Sequence, residues 1–447
     1  MALKQWFRLF LFCGISFCYH TVTAATVPIE HWTLSNGARV YYVHLTEVPM
    51  MDAHVVFDAG SARDDNMEGL ANFTNATFGE GTDSLSADEI AETFTQLGAE
   101  IDNSAARDMA MIHLRTMVKP SLLKPSVNLF SQLLTNPKLP QKNYLRIQTQ
   151  LLQSVKQQEE TPSTLASIAL FKKIYGDTPY AHNPLGTSES ISHINEQAIK
   201  KFYQQYYVGK NALLVLVGDI SLDQAKEISE EMVGKLPAGE KPPALQNSFP
   251  TPKGEAIQIS YPASQTAIKL GTLGINWQNP DYFPLLVGNY ILGGGPLTSR
   301  LFQEVRQARG LTYSVNSGFI PMKERGPFII ALQTKNQDVN QSLNVIHQVL
   351  QQYLNKGPTP KELQMAKKHL IGNFPLTIDS NTNISANVIV IAFYGLPLNF
   401  LDTYREEVGR VTKQEIDLAF QKTIHPETFV TVTVGPKGGE KQGEKKG

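Results

Sequence analysis

Residues 69–82 decide the fold of this chain, and they read Gly69-Leu70-Ala71-Asn72-Phe73-Thr74-Asn75-Ala76-Thr77-Phe78-Gly79-Glu80-Gly81-Thr82. The pattern predicts a short helix that ends in a glycine turn. Asn72 and Ala76 are one helical turn apart, with Asn75 between them. An amide oxygen is a poor zinc ligand, a methyl group is none, and neither accepts a proton at neutral pH. This helix therefore offers no groups for metal-assisted or acid–base chemistry.

A second set of motifs follows in the other half of the chain. They are Leu292-Gly293-Gly294-Gly295, Ser299-Arg300-Leu301-Phe302 and Gly310-Leu311-Thr312-Tyr313-Ser314-Val315. Together with the frame of residues 69–82, they resemble the signatures of the pitrilysin/insulinase family of zinc metallopeptidases. The resemblance extends from about Trp32 to about Val434, which is nearly the whole chain.

The resemblance implies that a zinc site has been lost. The family carries H-x-x-E-H on a helix, with two imidazoles on Zn²⁺ and the glutamate handling the proton of the bound water. Asn72, Asn75 and Ala76 occupy those positions here. The family's third ligand is a glutamate some eighty residues further on, and that position falls at Gln153 or Ser154. We therefore expect no metal in this chain.

The histidines offer no obvious substitute in sequence. The chain has 10 of them, and no two are four residues apart. His54 and His113 fall in predicted strands, where a hydrogen-bonded structural histidine is the simpler interpretation. His182 lies in a loop that resembles one of the family and has no catalytic role there.

Arg306 and Tyr313 stand seven residues apart, as do the arginine and tyrosine with which the family holds peptide. An arginine fork and a phenolic donor both suit a substrate carbonyl and its developing oxyanion. The alternative is that both are surface or packing residues, and Arg309 is an equally basic neighbour. The surrounding glycine motifs favour the substrate-binding role. Arg300 is expected to form a structural bond.

Composition limits the classes of partner. The chain has 447 residues, and 40 Lys and Arg balance 41 Asp and Glu for a net charge of −1. This charge gives no field for steering onto nucleic acid or an anionic membrane. We expect no nucleic-acid partner.

The N-terminus predicts export. Lys4 and Arg8 precede an apolar run at residues 9–18, and Ala24 or Ala25 precedes the expected cleavage site. A membrane anchor is the alternative, but a run of about ten residues is short for a bilayer. Residues 1–25 are thus predicted to be a signal peptide, with the mature chain periplasmic and free of an integral membrane segment. Both cysteines lie inside it, so no disulfide is expected.

The rest of the chain divides into two similar halves. Gly81 and Gly293, Leu85 and Leu297, and Gly98 and Gly310 are each separated by 212 residues, which indicates a duplicated domain. We predict domains at 26–236 and 255–435, a proline-rich linker at 237–254 and a disordered tail at 436–447.

The predicted fold class is α+β, with an antiparallel-rich sheet and helices on one face in each domain, forming half of a clamshell. The predicted strands are 53–59, 100–103, 109–117 and 212–218 in the first copy and 266–275, 312–319, 328–334 and 429–435 in the second. The long helices are predicted at 122–134 and 339–354.

The family has a two-chain branch in which one subunit keeps the zinc motif and the other keeps the Arg/Tyr pair. This chain resembles the second. The resemblance implies a non-catalytic subunit, inactive alone, with a homologous zinc-bearing partner and peptides or unfolded proteins as substrate. Two alternatives remain open, namely an inert structural or scaffold protein and a stand-alone peptide-binding protein.

Overall fold

The computed structural model describes residues 27–245 and 247–437. The predicted signal peptide lies outside these ranges, as do residues 438–447 of the predicted tail. None of the helices within the ranges is long and apolar enough to cross a membrane.

The first half contains a six-stranded sheet and eight α-helices within the described residues. The strands are β1 Glu30–Thr33, β2 Arg39–His44, β3 Met50–Phe57, β4 Glu100–Ala105, β5 Ala110–Met117 and β6 Ala212–Gly218. The helices are α1 Leu70–Ala76, α2 Ala87–Gln96, α3 Pro120–Thr135, α4 Gln141–Glu159, α5 Pro162–Tyr175, α6 Ser188–His193, α7 Glu196–Tyr206 and α8 Leu222–Val233.

The second half contains a five-stranded sheet and six α-helices in the described part of the chain. The strands are β7 Ala256–Ser260, β8 Gln265–Leu273, β9 Thr312–Phe319, β10 Pro327–Lys335 and β11 Val430–Gly435. The α-helices are α9 Tyr282–Asn289, α10 Val339–Lys356, α11 Pro360–Asn373, α12 Asn381–Tyr394, α13 Phe400–Arg410 and α14 Lys413–Thr423. Two π-helical segments, Tyr290–Gly294 and Phe302–Gln307, lie between α9 and β9.

The two sheets repeat one topology. The first has the order β1-β2-β6-β3-β5-β4 and the second β7-β11-β8-β10-β9. In each, the last strand of the half pairs in parallel with one neighbour, β2 or β7, and antiparallel with the other, β3 or β8. The predicted α+β class and the duplication are therefore confirmed. The predicted strands and long helices are all present, with ends shifted by up to three residues.

Each sheet packs one face against helices of its own half, and every second residue of a strand points to that face. In β3, Met51, Ala53, Val55 and Phe57 face the helices of the first half, and Phe73 of α1 packs in the same core. In the second half, Ile268, Leu270, Phe328 and Ile330 do the same.

The opposite faces are covered by an exchange of helices between the halves. Helix α5 of the first half packs on β8 and β11, where Leu170 and Ile174 meet Val432. Helix α12 of the second half packs on β6 and β3, where Val388 meets Val215. The sequence predicted helices on one face only, and the structure adds one helix from the other half on the second face.

The connection between the halves follows α8. Residues 237–254 contain neither helix nor strand in their described part. The domain boundaries themselves stay a prediction.

Candidate functional site

Helix α1 carries Asn72, Asn75 and Ala76, the three positions at which the sequence resemblance places a zinc motif. Asn75 is buried, and its amide donates to the Met111 carbonyl and to the Tyr207 hydroxyl, both at 3.3 Å. The amide nitrogen of Asn72 is buried without a hydrogen-bond partner among the described residues, and Ala76 is half-buried. The helix thus presents two amides and a methyl group, with no imidazole or carboxylate at these positions.

The start of α1 is nevertheless held firmly. The carboxylate of Asp64 accepts hydrogen bonds from the backbone N–H groups of Gly69 and Ala71, both at 2.7 Å. Burial raises the pKa of this carboxyl well above its ordinary value. Gly69 has φ of 91°, which favours glycine, and a Cβ there would lie 2.9 Å from the Leu185 carbonyl oxygen. The start of the helix is thus fixed by a buried carboxyl group and by a glycine turn.

The position expected for a third ligand lies on α4. Gln153 is exposed, and the hydroxyl of Ser154 donates to the carbonyl of Gln150 at 3.0 Å. Neither residue supplies a carboxylate.

Arg306 and Tyr313 are both exposed at the border of the second sheet. Arg306 lies in the π-helical segment Phe302–Gln307, with its guanidinium carbon 4.9 Å from the centre of the Phe302 ring. Tyr313 is 81% exposed on β9, the edge strand of its sheet. The two side chains make no hydrogen bond to each other or to α1 within the described ranges. The structure therefore presents both residues but does not assemble them with α1.

The neighbouring arginines are engaged elsewhere. Arg300 donates two hydrogen bonds to the carboxylate of Glu362, both at 2.7 Å, and a third to the carbonyl of Gly357 at 2.8 Å. The structural bond predicted for Arg300 is thus confirmed. Arg309 pairs with Glu304 at 2.5 Å. Among the described residues, Arg306 has no ion pair.

A cavity of about 330 Å³ lies beside Tyr313, on the part of the sheet that α5 leaves open. Asn316 and Gln333 contribute amide groups to its lining, and Lys269 lies at its α5 side. The ammonium of Lys269 donates to the hydroxyl of Ser167, and burial lowers its pKa. The cavity offers hydrogen-bonding groups of the kind that bind a peptide backbone.

A polar cluster on the first sheet was not predicted as a unit. His54 of β3 lies directly opposite His113 of β5, with parallel rings 4.1 Å apart, and Asp52 lies opposite Arg115. Asp52 Oδ1 is 2.8 Å from His113 Nε2 and 2.9 Å from Arg115 Nε. Arg115 also donates to the hydroxyl of Thr382 in the second half at 2.6 Å.

The two histidines in this cluster differ. His113 has the hydrogen bond predicted for it, but the prediction was wrong for His54, whose ring nitrogens are both buried without a partner among the described residues. Burial, aided by His113, lowers the pKa of His54 to about 3. Burial alone would raise the pKa of Asp52, but hydrogen bonds from His113 and Arg115 outweigh it and lower that pKa. Only the Asp-x-His alternation in β3 could have signalled this cluster from sequence.

Comparison with known proteins places this geometry in a family. Residues 39–188 match the family model of insulinase, peptidase family M16, and residues 193–370 match that of the peptidase M16 inactive domain. The crystal structure of a peptidase M16 inactive domain from Pseudomonas fluorescens is 36% identical, with a TM-score of 0.89 over 93% of this chain and 99% of that one. The chain belongs to the M16 peptidase family.

Two further proteins resemble this chain. The non-peptidase homolog YmxG of Helicobacter pylori is 28% identical over 86% of this chain and 89% of its own length. The periplasmic protease PqqL of Escherichia coli shares the fold alone, at 16% identity and a TM-score of 0.75 over 92% of this chain and 46% of that one. The chain is thus a homologue of an inactive M16 domain and of an M16 non-peptidase.

Proposed function

We propose that this chain is the non-catalytic subunit of a heterodimeric M16 zinc peptidase of the periplasm, and that it supplies Arg306 and Tyr313 to the zinc site of a homologous partner. One observation carries the proposal. Helix α1 has no metal-binding side chain at the three motif positions, whereas Arg306 and Tyr313 are exposed next to and on the edge strand β9 of the second sheet.

The contrast among neighbouring arginines supports a role for Arg306. Arg300 and Arg309 both have carboxylate partners, whereas Arg306 has no ion pair in the described part of the chain. It also lies in a π-helical segment. Such segments are rare in proteins, and those that occur are often found at functional sites. An unpaired cation presented in this way suits a ligand group that arrives from outside the chain.

The exposure of Tyr313 supports the same role. A tyrosine that is 81% exposed leaves apolar ring surface in water, which packing within the chain would normally cover. It stands on an edge strand, where unpaired backbone groups can add a further strand. An extended peptide bound there would pair through its main chain, with little demand on its sequence.

In the assembled enzyme the partner's zinc would activate water, while this chain's two donors bind the substrate carbonyl and its developing negative charge. Removal of one such donor typically costs ~10²–10³ in rate. The two chains would close as halves of a clamshell, and a closed chamber admits short or unfolded peptides. The periplasmic location draws support from the sequence of residues 1–25 and from the fold shared with a periplasmic protease of E. coli.

The proposal is tested by capture of the tagged mature chain from its native envelope extract. We expect chelator-sensitive peptide cleavage in the eluate, a co-purifying chain of similar size with H-x-x-E-H, and no cleavage by the recombinant chain alone. Cleavage by the recombinant chain alone would contradict the proposal. An inert eluate without such a partner would favour a scaffold, or a stand-alone peptide-binding protein if peptide binds to the isolated chain.

A further inference from the structure

The unexplained cluster on the first sheet lies on the face opposite to α1. Asp52 and His54 are two residues apart in β3, so alternation directs both to the face that α12 covers. His113 lies directly across from His54 on β5. The carboxylate and the two imidazoles can each bring one ligand atom to within 4.8 Å of the others. Two positions on one strand and one on its neighbour thus place three potential metal ligands close together.

We propose that Asp52, His54 and His113 bind a divalent transition-metal ion of the zinc class. Zinc is commonly held by imidazole nitrogens and carboxylate oxygens, and three protein ligands leave one position for water or another ligand. This site is separate from the family's zinc position, because it uses other elements and lies on the other face of the sheet.

His54 provides the second, independent observation. Its side chain is only 8% exposed, and neither ring nitrogen has a hydrogen-bond partner among the described residues. A buried polar group without a partner is destabilising, and such groups are uncommon in folded proteins. Coordination to a metal ion would give one of these nitrogens a partner.

Asp52 can serve the ion without giving up Arg115. Its Oδ1 atom is shared by His113 Nε2 and Arg115 Nε, while Oδ2 is 3.2 Å from Arg115 Nη2. The ion would take the place of the proton between Asp52 and His113, and Oδ2 would keep its bond to Arg115. Hydrogen bonds of this kind orient metal ligands and are commonly retained around such sites.

A route to the site also exists. A cavity of about 620 Å³ is lined by Asp52 and Arg115 on the first sheet and by Asn381 and Thr382 at the start of α12. Solvent and a hydrated ion can therefore reach the carboxylate from the side where the two halves meet. Because Thr382 binds Arg115, the second half also contributes to the surroundings of the site.

The test uses the full mature chain without a histidine tag, freed of metal by chelator and titrated with Zn²⁺ and with Co²⁺. We expect one Zn²⁺ per chain by equilibrium dialysis, and a visible Co²⁺ absorption band that added Zn²⁺ abolishes. His54→Ala should lower the affinity by ~10–100-fold or more, as the loss of a supporting residue already does. His193→Asn is the matched control, because His193 is exposed on helix α6, where its Nδ1 atom lies 2.8 Å from the Glu189 carbonyl oxygen.

The wild-type titration decides the matter even if a variant fails to fold. Absence of the Co²⁺ band and of stoichiometric Zn²⁺ in the wild-type chain would overturn the proposal. Equal binding by a folded His54→Ala variant, checked by circular dichroism, would also overturn it. At the same Zn²⁺ concentration, the melting temperature of the wild-type chain and of His193→Asn should rise more than that of His54→Ala.

Discussion

The carboxylate of Asp108 accepts a hydrogen bond from the hydroxyl of Tyr394, which stands 286 residues later in the chain, at 3.0 Å. Tyr180 donates to the other carboxylate oxygen at 2.5 Å, and the backbone N–H of Lys323 donates to Oδ2 at 2.8 Å. One buried carboxylate of the first half therefore binds two groups of the second half. The two halves are joined by specific polar contacts as well as by the exchanged helices.

This arrangement predicts a pH dependence of stability. Burial raises the pKa of Asp108 above its ordinary value of 3.8. The folded state therefore holds this proton at a pH where the unfolded chain has released it. The resulting stabilisation of the fold is complete below pH 3.8 and is lost as the pH rises through the pKa of Asp108 in the folded state. We expect the free energy of unfolding of the wild type, relative to that of Asp108→Asn, to fall as pH rises from 3.8. Urea denaturation across a pH series measures this difference.

Asp102→Asn, at an exposed position of β4, is the control for the Asp108 experiment. It should not reproduce the pH-dependent difference. A difference between wild type and Asp108→Asn that stays constant across the series would contradict the prediction.

The Arg300 and Glu362 pair predicts the opposite pH dependence. Burial opposes ionisation of Glu362, but hydrogen bonds from Arg300 and from Thr359 outweigh it and lower the pKa to about 2. The stabilisation of the fold by ionised Glu362 is present at pH values above its ordinary pKa of 4.5. It is lost as the pH falls toward about 2. Discounted for solvent exposure of the pair, Glu362→Gln should cost about 1 kcal/mol of unfolding free energy at neutral pH.

The matched control is Glu406→Gln, which removes an exposed helical pair with Arg410. Such pairs contribute roughly 0.3–0.5 kcal/mol, so this variant should cost less than Glu362→Gln at neutral pH. Chemical denaturation at neutral pH and near pH 3 measures the unfolding free energy of both variants. Equal losses of unfolding free energy for the two variants would show that the half-buried position of the Arg300 and Glu362 pair adds no stability.

The two asparagines of α1 should respond differently to removal of their amides. Asn75 donates to the Met111 carbonyl and the Tyr207 hydroxyl, so Asn75→Ala should cost about 1–3 kcal/mol by leaving buried groups unpaired. Asn72 has a buried amide nitrogen without a partner in the described residues, so Asn72→Ala should be neutral or stabilising. Urea denaturation of both variants compares them directly, and equal destabilisation would show that the hydrogen bonds of Asn75 contribute nothing.

Activity of the proposed complex should depend on Arg306 and Tyr313. In the reconstituted complex, Arg306→Ala and Tyr313→Phe should each lower kcat/KM by ~10²–10³, because each removes a donor to the substrate carbonyl. Assembly, measured by size-exclusion chromatography, should be unchanged. Arg309→Ala is the control, since Arg309 is already paired with Glu304, and it should have little effect. Wild-type rates from both test variants would exclude a shared active site.

Sequence predicted what is local or duplicated. The central strands are marked by continuous apolar runs such as residues 212–218, and the glycine motifs fix the turns near α1 and β9. The Asp52 and His113 contact could not be predicted, because these residues stand 61 positions apart and only strand register brings them together. The exchange of α5 and α12 was missed for the same reason, since an amphipathic helix does not specify which sheet it covers.

That exchange makes the stability of each half depend on the other. Each sheet hides one of its apolar faces with a helix encoded in the other half, Leu170 covering one sheet and Val388 the other. A half expressed alone would leave that apolar face exposed to water, so it should be stable chiefly as a pair of identical copies that exchange helices. Neither half is therefore a self-sufficient folding unit, and damage to one half should destabilise the other as well.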